Sequence, residues 1–126
     1  MGLDMYAIYT PADNVDEKGN IINKDNLTHF DYWRKHHDLH GWMENLFRSR
    51  HPDYKDSFNC VPVRLMKEDL DNLEKDVISG SLPPTTGFFF GNFPPDGESK
   101  RKDLEFIQKA RTLIAEGNAV FYDSWW

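Results

Sequence analysis

The strongest constraint on this chain lies at its two ends. Residues Leu3 to Thr10 form a short run rich in Tyr and Ile, free of Gly and closed by Pro11, and Ala119 to Trp125 form a second short run rich in aromatics. Runs of this length and composition read as β-strands. Side-chain alternation puts Leu3, Met5, Ala7 and Tyr9 on one face of the first. A strand with one apolar face needs a layer to cover it, and the intervening chain offers helices.

A helical pattern begins at about Asn26 or Thr28 and continues to Phe47. At about 100° per residue, Tyr32, Leu39, Trp42, Met43, Leu46 and Phe47 share one arc. Gly41 costs this helix roughly 1 kcal/mol relative to Ala, and either permits close packing or marks a bend. After a turn at His51-Pro52, Cys60 to Leu65 reads as a strand, and Pro62 points to an edge position. A second helix, about Lys67 to Ser79, has Glu68 and Asp69 in its first turn, Leu70, Leu73, Val77 and Ile78 on one face, and Gly80 just beyond its end. A third, about Ser99 to Glu116, starts at a Ser cap, turns Leu104, Ile107, Leu113 and Ile114 inward and stops at Gly117. The polar stretch from Ala12 to Asn26 carries turn chemistry at Gly19-Asn20, with a small hairpin running into Ile21-Ile22. The expected fold is α+β: about three helices packed on a small, mostly antiparallel sheet that includes the N- and C-terminal strands, in a single domain over residues 1–126.

That length can bury one core without staples. Nine Phe, five Tyr and four Trp make much of that core aromatic. Cys60 is the lone cysteine, so no intrachain disulfide forms and a reducing compartment fits. The opening MGLDMYAIY lacks the basic and apolar regions of a signal peptide, and no segment approaches the roughly 18 apolar residues of a membrane span. Gly2 does not signal lipidation, because Tyr6 stands where the motif wants Ser or Thr. A net charge of −6 argues against nucleic acid as a partner, and the carboxylates are interspersed with Lys and Arg as on solvated helices.

Beside the apolar arc of the first helix, Trp33, His37, His40 and Glu44 fall at i, i+4, i+7 and i+11 and point one way. His37, His40 and Glu44 can converge on one metal ion, the imidazoles can bind an anion, or both can simply be hydrogen-bonded at the edge of the core. No second cluster with metal-ligand spacing occurs, so no metal is assigned. His36 falls within the apolar arc and is expected to pack. Arg34 and Lys35 follow the Tyr32-Trp33 pair, which suits phosphate or carboxylate recognition beside a stacked ring, unless both face water. Leu82 to Gly91 (LPPTTGFFFG) sets Thr86, Phe88 and Phe90 either in a stacking platform or in a buried strand. Lys100, Arg101 and Lys102 sit near a helix N-terminus, where cations oppose the helix dipole; an anion, a partner's acidic surface or solvent would answer them. Trp125 and Trp126 either cover the core or complete a site. Catalysis has no motif behind it: Cys60 lacks a base at a known spacing, and there is neither a Gly-x-Ser-x-Gly elbow nor a phosphate loop.

Four blocks carry a resemblance. MGLDMY at Met1 to Tyr6, YWRK at Tyr32 to Lys35 with His40 and Trp42, LPPTTGFFFG, and the closing Phe-Tyr-Asp-Ser-Trp together resemble, in order and over nearly the whole chain, a family of small uncharacterised bacteriophage and prophage proteins. Members are often labelled phosphoglycerate kinase, which does not fit a chain this short without a nucleotide-phosphate loop. In that family His37 is often replaced by Asn and His36 is not shared, whereas His40 matches. The resemblance implies a phage accessory protein in the host bacterial cytoplasm and brings no established activity with it.

The resulting expectation is a noncatalytic protein without cofactor, acting in host takeover or counter-defence by binding a small anionic, nucleotide-like ligand. Trp33, Arg34, His37, His40, Thr86, Phe88, Phe90, Lys100, Arg101 and Trp125 are the residues expected to bind. The alternatives are a protein–protein inhibitor of a host bacterial defence or regulatory protein, and a metal-dependent hydrolase using His37, His40 and Glu44.

Overall fold

The computed structural model describes residues 3–34, 36–80, 82 and 97–125. Four strands, β1 (Asp4–Pro11), β2 (Thr28–Arg34), β3 (Val63–Leu65) and β4 (Asn118–Trp125), form one sheet in the order β2-β1-β4-β3, with every neighbouring pair antiparallel. Helices α1 (His37–Arg50), α2 (Lys67–Ser79) and α3 (Gly97–Ala115) pack on one face of it. This is the α+β arrangement expected. The first and last strands are its central pair, in register from Asp4↔Trp125 to Pro11↔Asn118.

The alternation of β1 is what orients the sheet. Leu3, Met5 and Ala7 are buried with Val63, Leu65, Val120 and Tyr122 beneath the helices, and Tyr9 packs partly against the same core. The helices answer with Leu39, Met43 and Phe47 of α1, Leu70, Leu73 and Val77 of α2, and Phe106, Ile107 and Ala110 of α3. Burying each of these large side chains contributes roughly 1.5–3 kcal/mol. β3 is the edge strand that Pro62 foreshadowed, shortened to Val63–Leu65.

The sequence pattern misassigned one segment. Thr28–Arg34 is a strand, and α1 begins only at His37. Pairing with β1 overrides the helical spacing, because Thr, Phe, Tyr and Trp suit a pleated, half-buried surface. Tyr32 therefore leaves the apolar arc and is exposed, while Trp33 opposite Met5 is buried under α3. Between Ala7 and Ile8 the register shifts, so that Ala7 faces Asp31 while Ile8 faces His29, and Phe30 is the extra residue of a bulge.

α2 matches its sequence limits. Asp69 Oδ2 accepts a hydrogen bond from the Met66 backbone N–H at 2.8 Å, and Gly80 ends the helix at φ +70°, a conformation that favours glycine. Ile78 is exposed rather than inward, since Leu70, Leu73 and Val77 already define the buried stripe. α3 starts at Gly97, two residues before the expected Ser99, and buries Asp103 and Phe106 as well as Ile107; Leu104, Leu113 and Ile114 are partly covered.

On the opposite face the described residues cover half the sheet. Val15, Ile21 and Leu27, from the segment between β1 and β2, pack on Ile8, Ala119 and Phe121. That segment is held by a bridge between Val15 and Ile21 and by Asp16 Oδ1, which accepts hydrogen bonds from the backbone N–H groups of Lys18 and Asn20 at 2.9 Å each. The other half of the face is uncovered by any described residue.

Candidate functional site

The expected site residues separate into distinct environments. His37 and His40 lie in the first turn of α1 and are both buried. His40 Nδ1 and the Tyr122 hydroxyl are 2.6 Å apart, with Phe58 packed against both rings. Burial drives this imidazole from its ordinary 6.5 down to about 4, so it is neutral at pH 7, and the same burial pushes the Tyr122 hydroxyl well above its usual range. His37 Nε2 lies 3.5 Å from Asp38 Oδ1. Glu44 is engaged by Arg48, one helical turn on, at 3.0 Å. The metal arrangement is therefore not assembled: among the described residues no group of three or more His, Cys, Asp or Glu side chains is placed to hold an ion.

His36 does not pack as an apolar residue. Its Nε2 sits 2.8 Å from Asp103 Oδ2, tying the start of α1 to α3. Trp33 lies edge-on to Phe106 at 4.8 Å, and Lys102 holds its ammonium 5.6 Å from the indole centroid. These contacts place Trp33 in the core between β2 and α3, not on a helix surface beside His37.

The cations of α3 are partly committed within the fold. Lys100 Nζ donates to the Ile78 carbonyl at 2.9 Å, satisfying one of the carbonyls left open at the end of α2. Lys102 donates to the Tyr32 carbonyl and lies 3.7 Å from Asp31, which Lys109 approaches at the same distance. Arg101 is exposed and makes no hydrogen bond or ion pair with a described residue.

Between β2 and α3 these side chains line an open groove with two ends. Asp31, Arg101, Lys102, Glu105 and Lys109 surround about 380 Å³ at the charged end. Tyr9, Phe30, Gln108, Lys109, Thr112 and Leu113 surround about 440 Å³ at the aromatic end. Lys109 belongs to both. Each end falls within the ~300–1,000 Å³ typical of small-molecule sites. Of the expected residues only Arg101 lines this groove; Tyr9, Phe30 and Lys109 were not singled out. Phe30 escaped because it is the bulged residue, which breaks the alternation that would have marked its face. Lys109 escaped because it lies two turns along α3 from the Lys100–Lys102 run.

Arg34 and Trp125 occupy the uncovered face of the sheet, on the far side from α3. The strand register arranges that patch in rows, Arg34, Asp4 and Trp125 in one and Tyr32, Tyr6 and Asp123 in the next. The rings of Tyr6 and Tyr32 are 5.4 Å apart, and the Tyr32 hydroxyl donates to Asp4 Oδ1 at 2.5 Å. Thr86, Phe88 and Phe90 fall outside the described residues. Among the described residues no helix is long and apolar enough to cross a membrane. Comparison with known proteins adds no relative: no family model, curated protein or solved structure matches this chain.

Proposed function

We propose that this protein is a noncatalytic binding module that takes a small anionic, nucleotide-like ligand in the groove between β2 and α3, and that it does so as a phage accessory protein in the host bacterial cytoplasm. The carrying observation is that Lys109 joins a cationic end, with Arg101 and Lys102, to an aromatic end formed by Tyr9 and Phe30. A planar ring laid on Phe30 would bring an attached phosphate within reach of Lys109 and of the Arg101 guanidinium, which has no partner among the described residues. In a chain of net charge −6 the groove is a local cationic island, three cations against Asp31 and Glu105, and an anion would find its counter-charges there. The setting in host takeover or counter-defence rests on the resemblance of the four sequence blocks.

Isothermal calorimetry with mono-, di- and cyclic nucleotides tests the reading. Binding by at least one nucleotide, weakened at least tenfold by Arg101→Glu or Lys109→Glu and by Phe30→Ala, is the expected result. Absence of heat and of thermal stabilisation with the whole panel would reject it, as would binding indifferent to those substitutions.

A further inference from the structure

The uncovered half of the sheet bears side chains that the groove does not use. Trp125 is 60% exposed and Tyr32 44% exposed, beside the half-buried Tyr6. A sheet surface bearing Tyr, Trp and Arg has the composition of the residues that dominate protein–protein binding energy. Val15, Ile21 and Leu27 cover the neighbouring half of the same face, so among the described residues nothing packs over the end near Asp4 and Trp125.

Charge on the patch identifies the occupant. Arg34 is exposed and makes no ion pair among the described residues, although Asp4 is its cross-strand neighbour. Asp4 and Asp123 are likewise without a salt bridge among the described residues; Asp4 accepts the Tyr32 hydroxyl, and the half-buried Asp123 accepts the Ser124 backbone N–H and lies near His29. Elsewhere in the fold Asp31, Asp69, Asp71, Glu44 and Glu74 all face a cation. A patch holding both signs without a salt bridge among the described residues is complementary to itself. In a two-fold contact, residue i of one copy meets residue j of the other and the reverse, so each Arg34 can meet the other copy's carboxylates.

We infer that the uncovered half of the sheet is an interface between two copies of this chain, closed face to face by Tyr6, Tyr32 and Trp125 and by reciprocal pairing of Arg34 with Asp4 and Asp123. The contact lies across the sheet from the groove, so the dimer and ligand binding stand or fall separately.

Light scattering coupled to size exclusion, with sedimentation equilibrium over a concentration series, reads the assembly state. The wild-type chain should dimerise. Trp125→Ala and Arg34→Glu should weaken dimerisation at least tenfold while leaving the circular-dichroism spectrum and any nucleotide affinity unchanged. Mixing Arg34→Glu with an Asp4→Lys, Asp123→Lys variant should restore a heterodimer, since each supplies the charge the other lacks. Should Trp125→Ala fail to fold, Arg34→Glu and the mixing experiment decide alone. A monomer at every concentration, or a dimer that none of these substitutions touches, would overturn the inference.

Discussion

The Tyr122 hydroxyl and His40 Nδ1, 82 residues apart in sequence, share a 2.6 Å hydrogen bond in the core, joining the central strand β4 to the first turn of α1. Tyr122→Phe deletes one partner and keeps the ring, which isolates the bond from packing. Leaving a buried imidazole nitrogen without it should cost about 1–3 kcal/mol. Urea denaturation measures the loss; a variant as stable as wild type would show that the bond contributes nothing.

The same imidazole gives the fold a pH dependence. Burial lowers the His40 pKa from 6.5 to about 4. Below pH 6.5 the unfolded chain therefore binds a proton that the folded chain refuses until about pH 4. Stability should fall as pH drops across this window, by on the order of 3 kcal/mol at its lower end, and this contribution should level off below it. His40→Gln should remove that part of the slope while the carboxylate contribution persists. Identical slopes in the two proteins would disprove the assignment.

Phe106 is fully buried and sits at the junction of β2 and α3, stacked with Phe30 at 5.9 Å and edge-on to Trp33 at 4.8 Å. Phe106→Ala should cost about 3–5 kcal/mol, the range for a large ring removed from a packed core. Because Phe30 lines the groove, nucleotide affinity should fall with it. Thermal melts and calorimetry on the same variant read both effects.

Cys60 adopts φ +61°, a backbone conformation that disfavours a side chain, while its N–H donates to the Ser124 carbonyl at 2.8 Å. Cys60→Gly relieves the conformational cost and retains that hydrogen bond, so stability should rise by about 1 kcal/mol less the extra chain entropy of glycine. Cys60→Val should lose about 1 kcal/mol or more, as a branched side chain tolerates this region worst. If both variants melt with the wild type, the turn does not hold this conformation in solution.

The strands at the two ends, α2 and the close of α3 at Gly117 were legible because each pairs a clean period with a stop signal at its boundary. β2 was not. Its bulge at Phe30 disrupts the two-residue alternation, and Tyr32 falls by coincidence at helical spacing from Leu39 and Trp42. That one misassignment carried Trp33 onto a helix face with His37 and set Arg34 on the same helical turn, when in the fold both lie in β2, Trp33 buried and Arg34 exposed. The groove was legible only through Arg101, because its walls come from segments some 70 residues apart that no local pattern connects. His36 was missed for the same reason, its partner Asp103 being 67 residues distant.

The pairing of β1 with β4 also governs the order of assembly. Asp4 pairs with Arg34 of β2 on one side but with Trp125 of β4 on the other, so one edge of β1 is closed by a nearby segment and the other only by a very distant one. Until β4 docks, that second edge of β1 is open, and an open strand edge is prone to aggregation. Pairing strands so distant in sequence raises the contact order of the fold, and closing so long a loop is a cost that slows folding.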